Sequence, residues 1–249
     1  MENISVVMVE PSHPGNIGAA ARAMKNMGLS QLRLVNPPSA YAGEVARVRS
    51  SGAEDLLETA QVFGSLDDAV GDTEVVYGAS ARLRTLQRPC HTPRECASMI
   101  AHRPTQKVAI VFGRESSGLT NAELLRCHYH VHIPTVESFS SLNLSQAIQV
   151  VAYELRLASL EDNASVPTSP NQEPLATHEQ VSGFHQHLYE TMNELGILSP
   201  GRSDTLMSRL RLLFNRAHLQ EREVHILRGF LSAVQNKIHP KSIEEKDSQ

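Results

Sequence analysis

Short apolar runs alternate with helical patterns over the first two-thirds of the 249-residue chain, and this alternation limits the possible folds more than any other feature. The runs are continuous in apolar character, which is typical of buried strands in a parallel sheet. Five are predicted as strands, with a minor sixth at 61–63: residues 4–10, 31–35, 74–77, 107–112 and 128–133. Helices are predicted at 19–27, 54–60, 66–69, 93–101, from Thr120 and at 143–160. This order predicts an α/β fold with a mainly parallel sheet.

The chain changes character after residue 160. Residues 161–176 are polar and rich in proline, which predicts a linker. Helical periodicity then returns at 177–195, 204–217 and 221–237, and the end of the chain is highly charged. We therefore predict an α/β domain over 1–160, a linker over 161–176, a small helical domain over 177–238 and a disordered tail over 239–249.

Composition narrows the class of protein. The three cysteines are odd in number and scattered, which argues against a disulfide framework. The chain starts without the basic and apolar regions of a signal peptide, so a cytosolic protein is expected. Aromatic residues make up only 4% of the chain, which disfavours a binder of single strands built on stacked rings. The net charge of −4 argues mildly against a nucleic-acid partner. Arginine nevertheless predominates locally in 82–94 and 202–228, which form either a basic face or ordinary solvated surface.

Three segments rich in glycine, asparagine and serine lie where an open parallel sheet gathers ligand-binding loops. The first, 14–18, ends the first strand ahead of Arg22, and its glycines allow a sharp turn or the close approach of a ligand. The second, 112–119, places an adjacent arginine and glutamate between two glycines at a strand exit. The third, 140–144, opens the long helix and can cap it or hold a ligand. Taken separately, each has an ordinary structural alternative: a turn, a β-α connection and a helix cap.

In this order and separation, the three segments resemble the signature motifs of the SPOUT class of methyltransferases, in its TrmH-like branch. Asn16-Ile17-Gly18 with Arg22 matches the first motif, 112–120 the second and 140–144 the third. The resemblance covers the α/β domain almost end to end, and 227–231 is similar to a C-terminal extension of bacterial members. It implies a trefoil-knotted sheet domain, which no periodicity argument predicts. It also implies an obligate homodimer with cofactor sites at the interface.

The resemblance further implies the cofactor, the substrate and the site. The reaction would methylate the ribose 2′-hydroxyl of nucleotide 32, a cytidine or uridine, in the anticodon loop of tRNA. S-adenosylmethionine would be held by Ala79, Ser80, Ala81, Gly113, Ile133, Ser140, Ser141 and Leu142. The catalytic side chains would be Arg22, Ser141, Asn16, Glu115 and Asn143. Contacts with RNA are expected from Arg82, Arg84 and Arg88 and, in the helical domain, from Arg209, Arg211 and Arg216.

The roles of these side chains follow from their chemistry. Arg22 is an unsuitable general base, because a guanidinium group stays protonated near neutral pH. We expect it to bind phosphate and stabilise negative charge, while a phosphate oxygen or water accepts the proton. Asn16 is expected to orient the ribose or Arg22. Glu115 would either pair with an arginine to fix its loop or act in the chemistry, and Asn143 would act in the site or only cap the helix.

Other interpretations fit the residues less well. The substrate could instead be ribosomal RNA or another tRNA position. A non-catalytic RNA-binding factor on the same fold is an alternative from a different class, although it would need none of the catalytic cluster. A dehydrogenase is disfavoured because the glycine fingerprint and its distal acidic residue are absent. His128, His130 and His132 share one face of a strand, but they lack the paired spacing of zinc sites, so no metal is expected.

Overall fold

The computed structural model describes residues 1–81, 89–161, 174–198 and 203–239. The chain divides into two compact units, residues 1–172 and 173–249. The division falls within the segment that is predicted to be a linker. Most of that segment, 162–173, and the tail from residue 240 lie outside the described residues.

The first unit is built on one seven-stranded sheet with the strand order β3-β2-β1-β6-β4-β7-β5. All six pairings between neighbouring strands are parallel. The strands are β1 (Ile4–Val9), β2 (Gln31–Val35), β3 (Gln61–Phe63), β4 (Val75–Ala79), β5 (Cys90–His91), β6 (Val108–Phe112) and β7 (Tyr129–Val131). Every residue of β1 and β6 is buried, as expected for central strands of a parallel sheet. The prediction of a mainly parallel α/β sheet is confirmed, and the trefoil knot stays an implication of the family resemblance.

Helices connect the strands of the first unit. Those in its described part are α1 (Pro14–Asn26), α2 (Glu44–Ser50), α3 (Glu54–Glu58), α4 (Leu66–Val70), α5 (Pro93–Ala101), α6 (Asn121–Leu124) and α7 (Leu144–Glu161). A short 3-10 helix, Glu137–Phe139, precedes α7. Capping boxes at Thr92 and Thr120 fix the starts of α5 and α6, so both helices begin where the sequence predicts.

The first glycine-rich segment is helical, because α1 begins at Pro14, so the prediction that the helix starts at residue 19 is wrong. Pro14 occupies the first turn of α1, where its missing N–H costs nothing. The imidazole of His13 caps the helix, with Nδ1 accepting a hydrogen bond from Gly15 N–H at 3.0 Å. Gly18 serves packing, because a Cβ there would lie 2.0 Å from the carbonyl oxygen of Ala46 in α2. The absence of a side chain lets α2 pack directly on α1.

Helix α2 and strand β5 are not predicted from the sequence. Val45 and Val48 of α2 are exposed, so the helix lacks the one-sided apolar stripe that usually marks a surface helix. Strand β5 consists of only Cys90 and His91, which pair with β7. Two residues are too few to show a strand periodicity.

The second unit contains α8 (His178–Glu194), α9 (Ser203–Ala217) and α10 (Glu221–Ile238), which confirms the predicted helical C-terminal domain. Its core is apolar and includes Phe184, whose ring meets that of Phe214 edge to face at 4.7 Å. The side chain of His185 lies in the same interior with only 3% of its surface exposed. Burial, and to a smaller extent the nearby Arg211, lowers the pKa of His185 to about 3.

No helix in the described ranges is long and apolar enough to cross a membrane. Nor do the described residues contain a group of three or more histidines, cysteines and carboxylates arranged to hold a metal ion. Two of the three alternating histidines near β7 bond to the sheet backbone instead. Nδ1 of His128 accepts from Val76 N–H at 3.1 Å, and Nδ1 of His132 lies 3.1 Å from the carbonyl oxygen of Ser80.

Candidate active site

A cavity of about 290 Å³ opens at the carboxyl ends of β4, β6 and β7, and the second and third predicted segments, 112–119 and 140–144, line it. Parallel sheets bind ligands at this edge. All eight residues that the resemblance assigns to the cofactor line it: Ala79, Ser80, Ala81, Gly113, Ile133, Ser140, Ser141 and Leu142. Apolar side chains from the strands and from α7 complete the wall. The site therefore combines small, backbone-rich loops with an apolar surface, as ligand pockets commonly do.

The loop after β6 folds back on itself and is pinned by an arginine. A Cβ on Gly113 would lie 2.1 Å from the carbonyl carbon of Gly118, so the two ends of the loop touch through backbone. Gly118 has φ +68°, a conformation that favours glycine. Between them, Arg114 donates to both carboxylate oxygens of Glu123, at 3.0 and 3.1 Å, and to Glu10 at 2.8 Å. Glu123 and Glu10 raise the pKa of Arg114 above its ordinary range. This guanidinium is thus committed to holding the loop.

Glu115 is the centre of a second network, and its partners differ from those predicted. Its carboxylate accepts hydrogen bonds from Asn16 Nδ2 at 2.9 Å, from Ser12 N–H and Oγ at 2.9 and 3.0 Å, and from His13 N–H at 3.3 Å. The expectation that Glu115 pairs with an arginine is wrong, since Arg114 points to other carboxylates. Partial burial acts to raise the pKa of Glu115, but the hydrogen bonds from Asn16 and Ser12 outweigh it and lower the value to about 2. Glu115 is therefore a carboxylate at neutral pH.

Asn143 joins this network to the third loop and also caps α7. Its Nδ2 donates to Oδ1 of Asn16 at 3.0 Å, while its Oδ1 accepts from Ser145 N–H at 3.0 Å and from Ser145 Oγ at 2.7 Å. The two roles that the sequence left open, site residue and helix cap, are compatible because they use different atoms of one amide. Asn16, Glu115 and Asn143 thus form a continuous chain of hydrogen bonds, and Glu115 also lines the cavity beside Ser141.

Arg22 does not join the hydrogen-bonded cluster of its own chain. It is exposed, and it does not line the cavity. Asn16 and Arg22 are six residues apart on α1, so their side chains point roughly 120° apart around the helix axis. Within the described part of the chain, no hydrogen bond or ion pair engages the guanidinium of Arg22. The predicted catalytic arginine is therefore free to bind an anion.

The arginines expected to contact RNA have different positions. Arg82, Arg84 and Arg88 lie outside the described residues. Arg209 and Arg216 are exposed and two turns apart on α9, so they share one face. Arg211 lies on another side of that helix, where it acts on His185. The structure thus separates Arg211 from the other two.

Sequence reasoning missed three residues that follow β1. Ser12 and His13 supply three of the hydrogen bonds to Glu115. Glu10 adopts φ +45°, and its carboxylate contacts Arg114. Their partners lie about a hundred residues further along the chain, so nothing in the local sequence indicates these contacts.

Known proteins resemble the chain over nearly its full length. Residues 3–153 match the SpoU rRNA Methylase family, and residues 179–245 match the C-terminal domain of the tRNA methyltransferase TrmJ. The chain is 44% identical over 256 residues to the tRNA (cytidine/uridine/adenosine-2′-O-)-methyltransferase TrmJ of Pseudomonas aeruginosa, with 99% of each chain covered. It is 45% identical over 242 residues to the tRNA (cytidine/uridine-2′-O-)-methyltransferase TrmJ of Pectobacterium atrosepticum, covering 94% of this chain and 98% of that one.

Comparison with solved structures leads to the same family. The crystal structure of TrmJ from Z. mobilis ZM4 superposes with a TM-score of 0.81 at 34% identity, covering 93% of this chain and 98% of that one. Both units of the chain are included in a match of this extent. With the three motifs assembled at one edge of the sheet, these similarities show that the chain belongs to the TrmJ branch of the SpoU methylase family and is an S-adenosylmethionine-dependent RNA 2′-O-methyltransferase.

Proposed function

We propose that this enzyme methylates the ribose 2′-hydroxyl of nucleotide 32, a cytidine or uridine, in the anticodon loop of cytoplasmic tRNA. The observation that carries the proposal is the hydrogen-bonded chain of Asn16, Glu115 and Asn143, which shares Glu115 with the lining of the cavity. A protein that only binds RNA has no need of these groups at a cofactor-sized cavity. The names of the tRNA-modifying relatives support the class of substrate.

The residues around the cavity suit S-adenosylmethionine. Small residues, including Ala79, Ala81 and Gly113, leave backbone N–H and C=O groups within reach of a ligand, and Leu119 and Val131 offer an apolar surface for a base. Glu115 stays ionised at neutral pH, whereas the charge of Arg114 is neutralised by two carboxylates. The cavity is therefore electrostatically suited to a cofactor that carries a positive sulfonium. When bound, that cofactor supplies an electrophilic methyl group.

The side chains of the enzyme then position the ribose and stabilise charge. A 2′-hydroxyl is a weak nucleophile while it keeps its proton, so developing negative charge on the oxygen must be stabilised. Arg22, which is exposed and unengaged among the described residues, would bind the phosphate next to the target ribose. A phosphate oxygen or a water molecule would accept the proton. Asn16 is held from both sides, by Glu115 and Asn143, so it would orient the ribose with little freedom.

The enzyme would act as a homodimer. On α7, Val150, Tyr153 and Leu160 are 37%, 49% and 53% exposed and lie along one stripe of the helix. Exposed apolar stripes are typical of surfaces that another chain covers. In a dimer, Arg22 would serve either its own chain's cavity or that of the second copy. Mixing Arg22→Ala and Glu115→Gln subunits separates the two cases, because only action across the dimer restores an intact site in the mixed species.

The test of function is methyl transfer from labelled S-adenosylmethionine to unmodified tRNA, followed by nuclease mapping. Label in a 2′-O-methylated nucleotide at position 32, lost in Arg22→Ala, is the expected result. Label at another position, in an adenosine or in ribosomal RNA would keep the enzyme class and refute this substrate. Cofactor binding by the wild type without transfer to any RNA would favour a non-catalytic role. The pH–rate profile of Arg22→Lys tests the guanidinium, and full activity would exclude a need for its planar fork.

A further inference from the structure

A second exposed arginine, Arg49 of α2, lies against the first turn of α1. A Cβ built on Gly15 would be 3.6 Å from Cγ of Arg49, so the aliphatic part of the arginine packs on the glycine. The imidazole of His13 lies over the same glycine, 2.9 Å from that Cβ position. Because the packing of Gly18 on Ala46 sets how closely α2 approaches α1, the position of Arg49 is defined by backbone contacts.

This position is next to the catalytic network. Gly15 immediately precedes Asn16, whose side chain bonds to Glu115 and Asn143. Helix α1 also carries Arg22, two turns beyond Gly15 and on the same side of the helix. The stem of Arg49 therefore packs on α1 at the residue before Asn16, on the side of the helix that also carries Arg22.

Among the described residues the charge of Arg49 is uncompensated, whereas most of the other described arginines in this unit have a carboxylate partner. Its neighbour Arg47 pairs with Glu58 at 3.3 Å. Four more arginines have carboxylate partners: Arg33, Arg94, Arg114 and Arg126. Arg49 is exposed, and within the described ranges it makes neither a hydrogen bond nor an ion pair through its guanidinium. Its side chain is anchored at the stem while its five N–H donors remain available.

We infer that Arg49 is a positioning residue that binds a phosphate of the RNA backbone beside the target nucleotide. The inference rests on the proposed RNA methylation. A guanidinium matches phosphate with two parallel hydrogen bonds, which fixes direction as well as charge. With Arg22 on the same helix pair, Arg49 would hold a second point of the backbone and so set where the ribose lies relative to Asn16.

The test compares Arg49→Ala and Arg49→Lys with a matched control, Arg103→Ala. Arg103 is also exposed and without a carboxylate partner among the described residues, but it lies near Gln106, just before β6 begins, at the opposite edge of the sheet. Equilibrium binding of unmodified tRNA is measured over a range of salt concentrations, together with the KM for tRNA, the dissociation constant for S-adenosylmethionine and the melting temperature. We expect Arg49→Ala to weaken tRNA binding about tenfold and to reduce the salt slope by about one. Arg49→Lys should keep the slope and recover part of the affinity.

Cofactor affinity and melting temperature should be unchanged in all three variants. The inference is overturned if Arg49→Ala binds tRNA like Arg103→Ala, or if its main effect is on cofactor binding or on the melting temperature. Because tRNA binding is measured without methyl transfer, each of the two proposals can be refuted independently of the other. A wild type that binds tRNA but transfers no methyl group refutes the proposed function. If Arg49→Ala methylates tRNA with the same KM as the wild type, the role of Arg49 is refuted.

Discussion

Replacing Glu115 by glutamine tests the network that links the first and second motifs. The carboxylate accepts four hydrogen bonds, two from Ser12 and one each from Asn16 and His13. An amide keeps one oxygen acceptor and presents an NH2 group in place of the other. The N–H of Ser12 would then face a donor and lose its partner, while the bond from Asn16 could be kept.

The pKa of Glu115 gives the size of the stability that the carboxylate contributes. A fall from 4.5 to about 2 on folding corresponds to about 3 kcal/mol of stability above pH 4.5. Glu115 is only partly buried, and solvent screening reduces this to about 1–2 kcal/mol. Because the pKa is lowered in the folded state, the contribution is complete above pH 4.5. It is lost as the pH falls from 4.5 towards 2.

The assay is urea denaturation followed by circular dichroism, at pH 7 and at several acidic pH values. Glu115→Gln should be less stable than wild type by about 1–2 kcal/mol at pH 7, and the difference should shrink on acidification. Glu137→Gln is the matched control, because Glu137 is exposed and makes no ion pair among the described residues. Equal stability of the two variants at pH 7, or a difference that persists unchanged at low pH, would refute the reasoning.

Three further predictions concern other parts of the chain. Gly18→Ala should destabilise the first unit by about 2 kcal/mol through the clash with α2. Gly64→Ala is the control and should not destabilise it, because a Cβ at Gly64 meets open space. Thermal unfolding of both variants tests this prediction. In the second unit, His185 is buried in its neutral form, so the free energy of unfolding of this unit should fall as the pH falls from 6.5 towards 3. The loss should reach up to about 1.4 kcal/mol per pH unit. His185→Gln should remove this dependence in an acid titration followed by circular dichroism, and an unchanged titration would contradict the assignment. The double variant Arg209→Ala and Arg216→Ala should lower the salt slope of tRNA binding by about two, and an unchanged slope would exclude that face of α9 from the RNA contact.

The cavity could be predicted from the sequence because its walls are local. Ser80, Gly113 and Ser141 each lie in a short loop after a strand or before a helix, and parallel strands bring such loops to one edge. The family resemblance indicates which of these loops bind the cofactor. Each of these residues is recognisable within a few neighbours of its own strand.

The network around Glu115 could not be predicted, because its contacts join distant parts of the chain. Ser12 carries no motif, and its partner is 103 residues away. The start of α1 at Pro14 could not be predicted for a related reason: Gly18 indicates a break locally, yet its missing side chain is needed for a contact with α2. Helix α2 itself has no clear apolar stripe, so neither partner in that contact could be recognised alone.

The close contact between Gly113 and Gly118 has a consequence for inhibitor design. This wall of the cavity consists of touching backbone, and Ser116 and Ser117, which lie between the glycines, are exposed. A compound that fills the cavity through contacts with this wall meets peptide groups, whose shape and polarity are the same whatever side chains a homologous enzyme carries nearby. Selectivity among such enzymes would therefore have to come from groups that extend out of the cavity towards side chains that the family does not share.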